Sequence, residues 1–221
     1  MPASPLPTSP PPAPARRRGR PPKSADAARL DTREALIRTG VAVLTEKGYS
    51  AVGLDEILRA AQVPKGSFYH CFESKEAFGR ALIAAYAAFF ARKLDRWFLD
   101  SGLSPLDRLR HFIDDAKAGM RRYDFRRGCL VGNLGQEMGA LPESFRAQLG
   151  EVFQDWQART AACLAEAQRA GEIAPGLDAV ALAQFFWIGW EGAVLRAKLE
   201  RSAAPLEIYS AGFFTLLGRP G

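Results

Sequence analysis

Val63-Pro64-Lys65-Gly66-Ser67-Phe68-Tyr69-His70-Cys71-Phe72-Glu73-Ser74-Lys75-Glu76 is the stretch on which the fold turns. Pro64 suits the first turn of a helix, where its missing N–H is no loss, so the spacing predicts a short helix over 65–72. Phe68 and Phe72, four apart, fall on one face and anchor it. Lys65, Ser67, Tyr69 and His70 fall on the exposed face. Upstream, Leu54, Ile57, Leu58 and Ala61 give the inward face of another short helix, broken by Gln62, Val63 and Pro64. Before that, Asp31 or Thr32 caps a first helix running to Lys47, with Leu36, Ile37, Val41 and Leu44 on one side and Gly48 as its stop. Three short helices with a tight polar turn between the second and third are the geometry of a helix-turn-helix, whose last helix reads the major groove.

Downstream, Ser74 caps a long helix with Phe78, Leu82, Tyr86, Phe89 and Trp97 expected inside. Further helical stretches are expected at about 104–123, 127–140, 142–170, 178–200 and 204–217, punctuated by Pro105, Pro142, Gly171, Pro175 and Pro205. Strand-like alternation and internal repeats are absent. The expected fold class is all-α. Residues 1–28 form a tail, 29–76 a three-helix DNA-binding domain, and 77–221 a helical bundle for ligand binding and dimerisation.

Composition fits this plan. The chain has 221 residues with 48% hydrophobic and 24% charged side chains, which suits a folded globular protein. The longest uncharged run outside the tail, Ala179 to Trp190, is too short for a membrane span of about 20 residues. Cys71, Cys129 and Cys163 are too few and too scattered for a disulfide framework. With two histidines they give no metal-ligand spacing either, so no metal or cofactor is expected. Neither a signal peptide nor a membrane span is read, and the expected location is the cytoplasm.

The net charge of +6 is concentrated in the tail. Within residues 1–24, Arg16, Arg17, Arg18, Arg20 and Lys23 stand without an acid, leaving 25 basic against 24 acidic groups in the remaining 197 residues. Nine of the 15 prolines lie there too, which forbids helix and core. Arg18-Gly19-Arg20-Pro21 matches the core of an AT-hook, in which arginines enter a narrow A·T-rich minor groove. The alternative is a solvated basic tail with non-specific affinity for polyanions.

Gly48-Tyr49, Leu54-Asp55-Glu56-Ile57-Leu58, Val63 to His70, Phe72 and Ser74-Lys75-Glu76 together resemble the DNA-binding domain of TetR-family repressors over residues 30–85. Three positions depart from that pattern. Gly53 stands where the family commonly has Thr, Gln62 where it has Gly, and Cys71 where it has an aromatic residue. The resemblance implies a dimer of all-helical subunits that reads two half-sites of a palindromic operator and answers to a small inducer. Lys65, Gly66, Ser67, Tyr69, His70 and Lys75, with Arg18 and Arg20 of the tail, are the expected DNA contacts.

Two C-terminal segments, Arg126 to Leu134 and Trp187 to Lys198, are similar to members of the same family that respond to acrylate or to reactive electrophiles. That similarity implies Cys129 as the sensing thiol and Lys198 as a helping amine. Helical spacing independently sets Cys129, Asn133 and Gln136 or Glu137 on one face, and Trp187, Glu191 and Lys198 on another. If these stripes meet, they make a small-ligand pocket with a few convergent polar groups. An ammonium beside a thiol would favour the thiolate; the alternative is that Cys129 is simply a small buried hydrophobe.

The primary expectation is a repressor released from DNA by a small carboxylate or electrophile. A thiol sensor without a reversible ligand is one alternative, and a ligand-independent DNA-binding protein another. An enzyme with Cys129 as nucleophile is disfavoured, because no Cys/His pair is visible. Dimer surfaces are expected on 142–170 and 178–200, where Gly189 and Ala193 allow close helix approach.

Overall fold

The structure, a computed structural model, describes residues 25–218. The tail with Arg18 and Arg20 lies outside the described residues. Within them the chain is all helix: α1 (Ala25–Lys47), α2 (Leu54–Ala61), α3 (Lys65–Cys71), α4 (Lys75–Phe98), α5 (Pro105–Arg121), α6 (Leu130–Gln136), α7 (Ser144–Arg169), α8 (Ala179–Glu200) and α9 (Ala204–Leu216).

α1 starts at Ala25, six residues before the expected cap at Asp31. Nothing from Ala25 to Leu30 breaks a helix; Ala, Arg and Leu are all good helix formers. α2 has Gly53 at its N-cap without a side-chain hydrogen bond. It ends where Gln62 adopts φ 56°, ψ 39°, letting the Val63 N–H reach the Leu58 carbonyl. This is a Schellman-type ending that favours glycine, and here a side chain tolerates it. α3 then starts after Pro64. Phe68 is fully buried and packs against Phe72 and Phe78, with ring centroids 5.5 Å away in each case.

Ser74 caps α4 by accepting the Ala77 N–H at 3.0 Å. The helix buries Phe78, Leu82, Tyr86, Leu94 and Phe98, with Phe90 packed beside them. All six lie on one i, i+4 ridge. Phe89 sits a residue off that ridge and is 54% exposed, against expectation. Phe90 takes the inner place, 4.3 Å from the Trp156 ring. Trp97 is only half-buried, and its indole N–H donates to Asp115 at 3.1 Å. α4 therefore crosses the expected boundary at residue 76 and belongs to both halves.

In the C-terminal half, α7 packs along α8, α4 and α5, and α8 pairs with α9. Trp156, Trp187, Phe112, Phe186 and Trp190 fill the space between them. Gly189 lets the Tyr209 ring of α9 lie flat against α8, where its hydroxyl donates to the Phe186 carbonyl at 2.7 Å. The close approach expected at Gly189 is thus made within the chain. Among the described residues no helix is long and apolar enough to cross a membrane.

Gln62→Gly is expected to stabilise the protein by about 1 kcal/mol, since it removes the side-chain penalty of the left-handed conformation. The melting temperature should rise by about 2–4 °C, measured by circular dichroism.

Candidate functional site

Two surfaces matter, and one short helix joins them. The first is α3. Its buried Phe68 fixes the orientation of the residues beside it: Tyr69 is 55% exposed, and Lys65, Gly66 and His70 are exposed as well. Ser67 is half-buried. A side chain at Gly66 would meet nothing within 4 Å, so the backbone is open to close approach there. Lys65 makes a 3.4 Å ion pair with Asp55 on the surface, which solvent weakens and a phosphate readily replaces. The expected reading face is therefore assembled and accessible.

Lys75 is placed differently. Its ammonium donates to the Val52 carbonyl at 2.8 Å and the Tyr49 carbonyl at 3.4 Å, and lies 4.4 Å from the Tyr49 ring centroid. Burial lowers its pKa. Lys75, expected among the DNA contacts, thus also holds the loop between α1 and α2, whose carbonyls have no helix to serve them.

The second surface is a cleft between α6 and α8, lined by Cys129, Gly132, Asn133, Gln136, Glu191 and Lys198 among others. The two polar stripes inferred from helical spacing do face each other here. The free volume, mouth included, is about 180 Å³. Most of that is open to solvent: the space a water-sized sphere can enter is about 10 Å³, room for about one water, so any larger ligand enters only as α6 and α8 move apart.

Cys129 is the N-cap of α6, and its sulfur accepts the Gly132 N–H at 3.4 Å. Burial, then the Glu191 charge, push the thiol well above its ordinary value. The expected lowering by Lys198 is not what the site produces. Lys198 extends instead toward the Thr45 carbonyl at 3.5 Å, and burial lowers its own pKa while Glu46 and Glu137 work against that fall. Glu191 retains some accessible surface in the cleft, yet its carboxyl is enclosed by protein, and burial raises its pKa from 4.5 to about 7. It reaches this place because residue 132 is glycine; any side chain there would overlap the Glu191 carboxylate.

α6 also grips the half that carries α3. The Asn133 amide donates to the Leu44 and Thr45 carbonyls at 3.0 Å each. The Gly128 N–H donates to Thr45 at 2.9 Å. Glu137 accepts the Tyr49 N–H at 3.0 Å and the Ser50 N–H at 2.7 Å. Glu137 was expected on the ligand side; it faces the loop before α2 instead, because α6 ends at Gln136 and the chain turns there. Trp187 also departs from expectation. It is fully buried beside Trp156, donates its N–H to Thr160 at 2.9 Å, and lies outside the cleft lining. At helical spacing it shares a face with Glu191, but an indole needs the space that only the core offers.

Sequence reasoning missed Tyr86 and Thr45. Tyr86 is buried on α4, and that burial, with Cys129 and Glu191 adding to it, raises its hydroxyl well above its ordinary value. A tyrosine in the alanine run Ala84-Ala85-Tyr86-Ala87 was a signal, since a buried hydroxyl needs a partner. Thr45 contributes its backbone carbonyl, for which sequence carries no mark.

Residues 36–82 match the family model of bacterial regulatory proteins, tetR family, and residues 105–213 match a tetracyclin repressor-like C-terminal domain. The chain is 58% identical over 210 residues to the transcriptional regulator AcuR of Cereibacter sphaeroides, covering 95% of each. It is 30% identical over 190 residues to the HTH-type transcriptional repressor NemR of Escherichia coli, covering 86% of this chain and 96% of that one. The crystal structure of regulatory protein TetR from Rhodobacter sphaeroides superposes with a TM-score of 0.82 at 59% identity, over 83% of this chain and 97% of the other. The reduced form of E. coli NemR gives 0.77 at 30% identity, over 86% and 99%.

The raised Glu191 pKa carries a stability consequence. Below pH 4.5 both folded and unfolded forms are protonated and nothing is lost; between 4.5 and about 7 the unfolded form ionises first and stability falls; above 7 the cost is constant. Glu191→Gln is therefore expected to be more stable than the parent at pH 8 by about 3 kcal/mol, the difference fading toward pH 5. Urea unfolding across that range measures it.

Proposed function

The chain belongs to the tetR family of bacterial regulatory proteins and is a transcriptional repressor, and from that premise we propose that a small conjugated carboxylate or electrophile, entering the cleft between α6 and α8, releases it from its operator as a dimer. One observation carries this reading: α6 lines the cleft and is hydrogen-bonded through Gly128, Asn133 and Glu137 to the end of α1 and the loop before α2. A ligand that shifts α6 moves the frame on which α3 stands. The ligand's differential affinity for the two arrangements supplies the coupling, typically about 1–3 kcal/mol.

Chemistry selects the effector class. The cleft is small, Lys198 offers a cation for a carboxylate, and Cys129 offers sulfur to a conjugated alkene. Acrylate is the smallest molecule that has both groups. Reversible binding uses Lys198 and Asn133 and needs no thiolate. A covalent response needs a base, because the resting thiol is held protonated. Cys129→Ser separates the two: if acrylate still releases DNA from that variant, the thiol is dispensable.

Support for the dimer comes from apolar side chains left on the outer face of α8 and α9. Ile188 and Leu199 are about three-quarters exposed, as is Ile208, with Leu195 and Leu216 beside them. A monomer seldom leaves so much apolar surface on one pair of helices. α7, expected to share this surface, has no large exposed apolar residue. On DNA, Tyr69, His70 and Ser67 approach base edges, Lys65 and the Gly66 backbone approach phosphate, and Arg18 and Arg20 of the tail enter the neighbouring minor groove.

Fluorescence anisotropy with DNA from upstream of its own gene is expected to show a specific complex that acrylate dissociates. Tyr69→Ala should weaken that complex by about 1–3 kcal/mol and relax specificity at its position. Lys65→Ala should weaken specific and random DNA alike and flatten the salt dependence by about one phosphate per half-site. A complex indifferent to acrylate and to related short enoates would favour the ligand-independent alternative. Glu137→Ala should leave effector binding, measured by calorimetry, within about twofold, yet reduce the DNA release it causes.

A further inference from the structure

The buried carboxyl of Glu191 has no role in the family resemblance and none in reversible binding. We propose that Glu191 is the proton acceptor, and then the proton donor, that enables Cys129 to add to a conjugated alkene in the cleft. The inference rests on the reading of this cleft as the effector site.

The geometry supports it from three directions. The place a Gly132 side chain would occupy is filled by the Glu191 carboxylate, and the Cys129 Cβ lies 3.6 Å from that same point, so the two side chains are neighbours there. Both line the one cleft, together with Lys198. The Gly132 N–H is already directed at the sulfur, a donor that favours developing negative charge there. An acid that ionises near neutrality is matched to a general base. The charged and titratable groups around it are few: Tyr86 on α4, Cys129 at the start of α6 and Lys198 on α8, the last in turn facing Glu46 of α1 and Glu137.

The step is balanced without an outside reagent. The thiol proton passes to the ionised Glu191 as the sulfur bonds to the β-carbon of the enoate. The alkene π pair moves toward the ligand carboxylate, where the Lys198 ammonium offsets the added charge. Glu191 then returns its proton to the α-carbon. An S–C bond and a C–H bond form, the S–H bond and the π bond are lost, and nothing is oxidised or reduced. Direct deprotonation by solvent would require ionising a thiol that burial and Glu191 both hold protonated, whereas the Glu191 carboxylate, beside the thiol at Gly132, is placed to take the proton as the S–C bond forms.

The test is the rate of adduct formation with acrylate, followed by intact mass on the full chain between pH 5.5 and 9.5. The parent is expected to show an inflection near pH 7 and a second rise at alkaline pH, with no adduct on Cys129→Ser. Glu191→Gln should lose the lower inflection, react about 10–100-fold more slowly at pH 7.5, and keep the alkaline rise. Retention of that rise, with unchanged far-UV helicity, shows that the thiol and the fold survive. If Glu191→Gln is poorly helical, Glu191→Asp replaces it and must keep the inflection at a reduced rate. A profile for the glutamine variant that matches the parent overturns the role of Glu191 while leaving the cleft thiol in place. A parent that forms no adduct at any pH overturns the covalent reading itself, and this inference with it.

Discussion

The end of α1 is completed by another part of the chain. A helix leaves its last carbonyls without partners, and they must be met by side chains, loops or water. Here the Thr45 carbonyl receives the Gly128 N–H, the Asn133 amide and the Lys198 ammonium. The Leu44 carbonyl receives Asn133 as well as the Gly48 N–H that closes the helix. The cap of the helix that supports the DNA-binding half is thus built from α6 and α8. Neither half can settle its geometry alone, and this dependence gives a remote cleft its hold on α3.

Two glutamates near this junction show how environment divides one chemistry into two uses. Each carboxylate presses against a glycine that leaves room for it, Glu137 against Gly48 and Glu191 against Gly132. Gly48 has φ 84° as well, so it is required twice over, by the turn and by the close approach. Glu137 meets backbone N–H groups of the loop, donors that an ionised carboxylate accepts strongly. Glu191 meets a thiol and a phenol at the wall of the cleft, and burial of its carboxyl holds its proton up to about pH 7. The first is a fixed clamp; the second is a group whose charge changes in the neutral range.

How much of this was legible follows from the kind of signal each residue leaves. Helix periodicity, proline and capping serine located α2, α3 and the start of α4 to within a residue, because those signals are local. The α3 face was legible for the same reason: Phe68 fixes what must point outward. Local spacing also set Trp187 beside Glu191 and Cys129 beside Glu137 on shared faces, and there it misled. A shared face does not say how deep a side chain lies, nor where a seven-residue helix stops. Phe89 and Phe90 could not be separated by hydrophobicity; only the ridge from Phe78 through Phe98 decides which one turns in. Lys75 and Lys198 both looked like free cations, since a sequence does not mark the backbone carbonyls that occupy them. Carbonyl and amide groups at loop and helix ends engage Lys75, Lys198 and Glu137 alike, and of these only Lys198 also lines the cleft.

That same recruitment sets the energy scale of the proposed switch. Asn133 and Lys198 line the cleft and also serve the end of α1. An effector carboxylate that engages either donor competes with the Leu44 and Thr45 carbonyls for it. A neutral hydrogen bond contributes about 0.5–1.5 kcal/mol net, and one to a charged group about 1.5–3. Diverting one amide and one ammonium is therefore enough to span the usual coupling energy of about 1–3 kcal/mol, with no need for a long relay through the core. A large hydrophobic ligand would have to expand the cleft and repack α7 and α8, at the cost of the aromatic contacts between them. A small anion needs a smaller parting of α6 and α8 and takes donors already shared between the two halves, so the polar lining points to that class of effector.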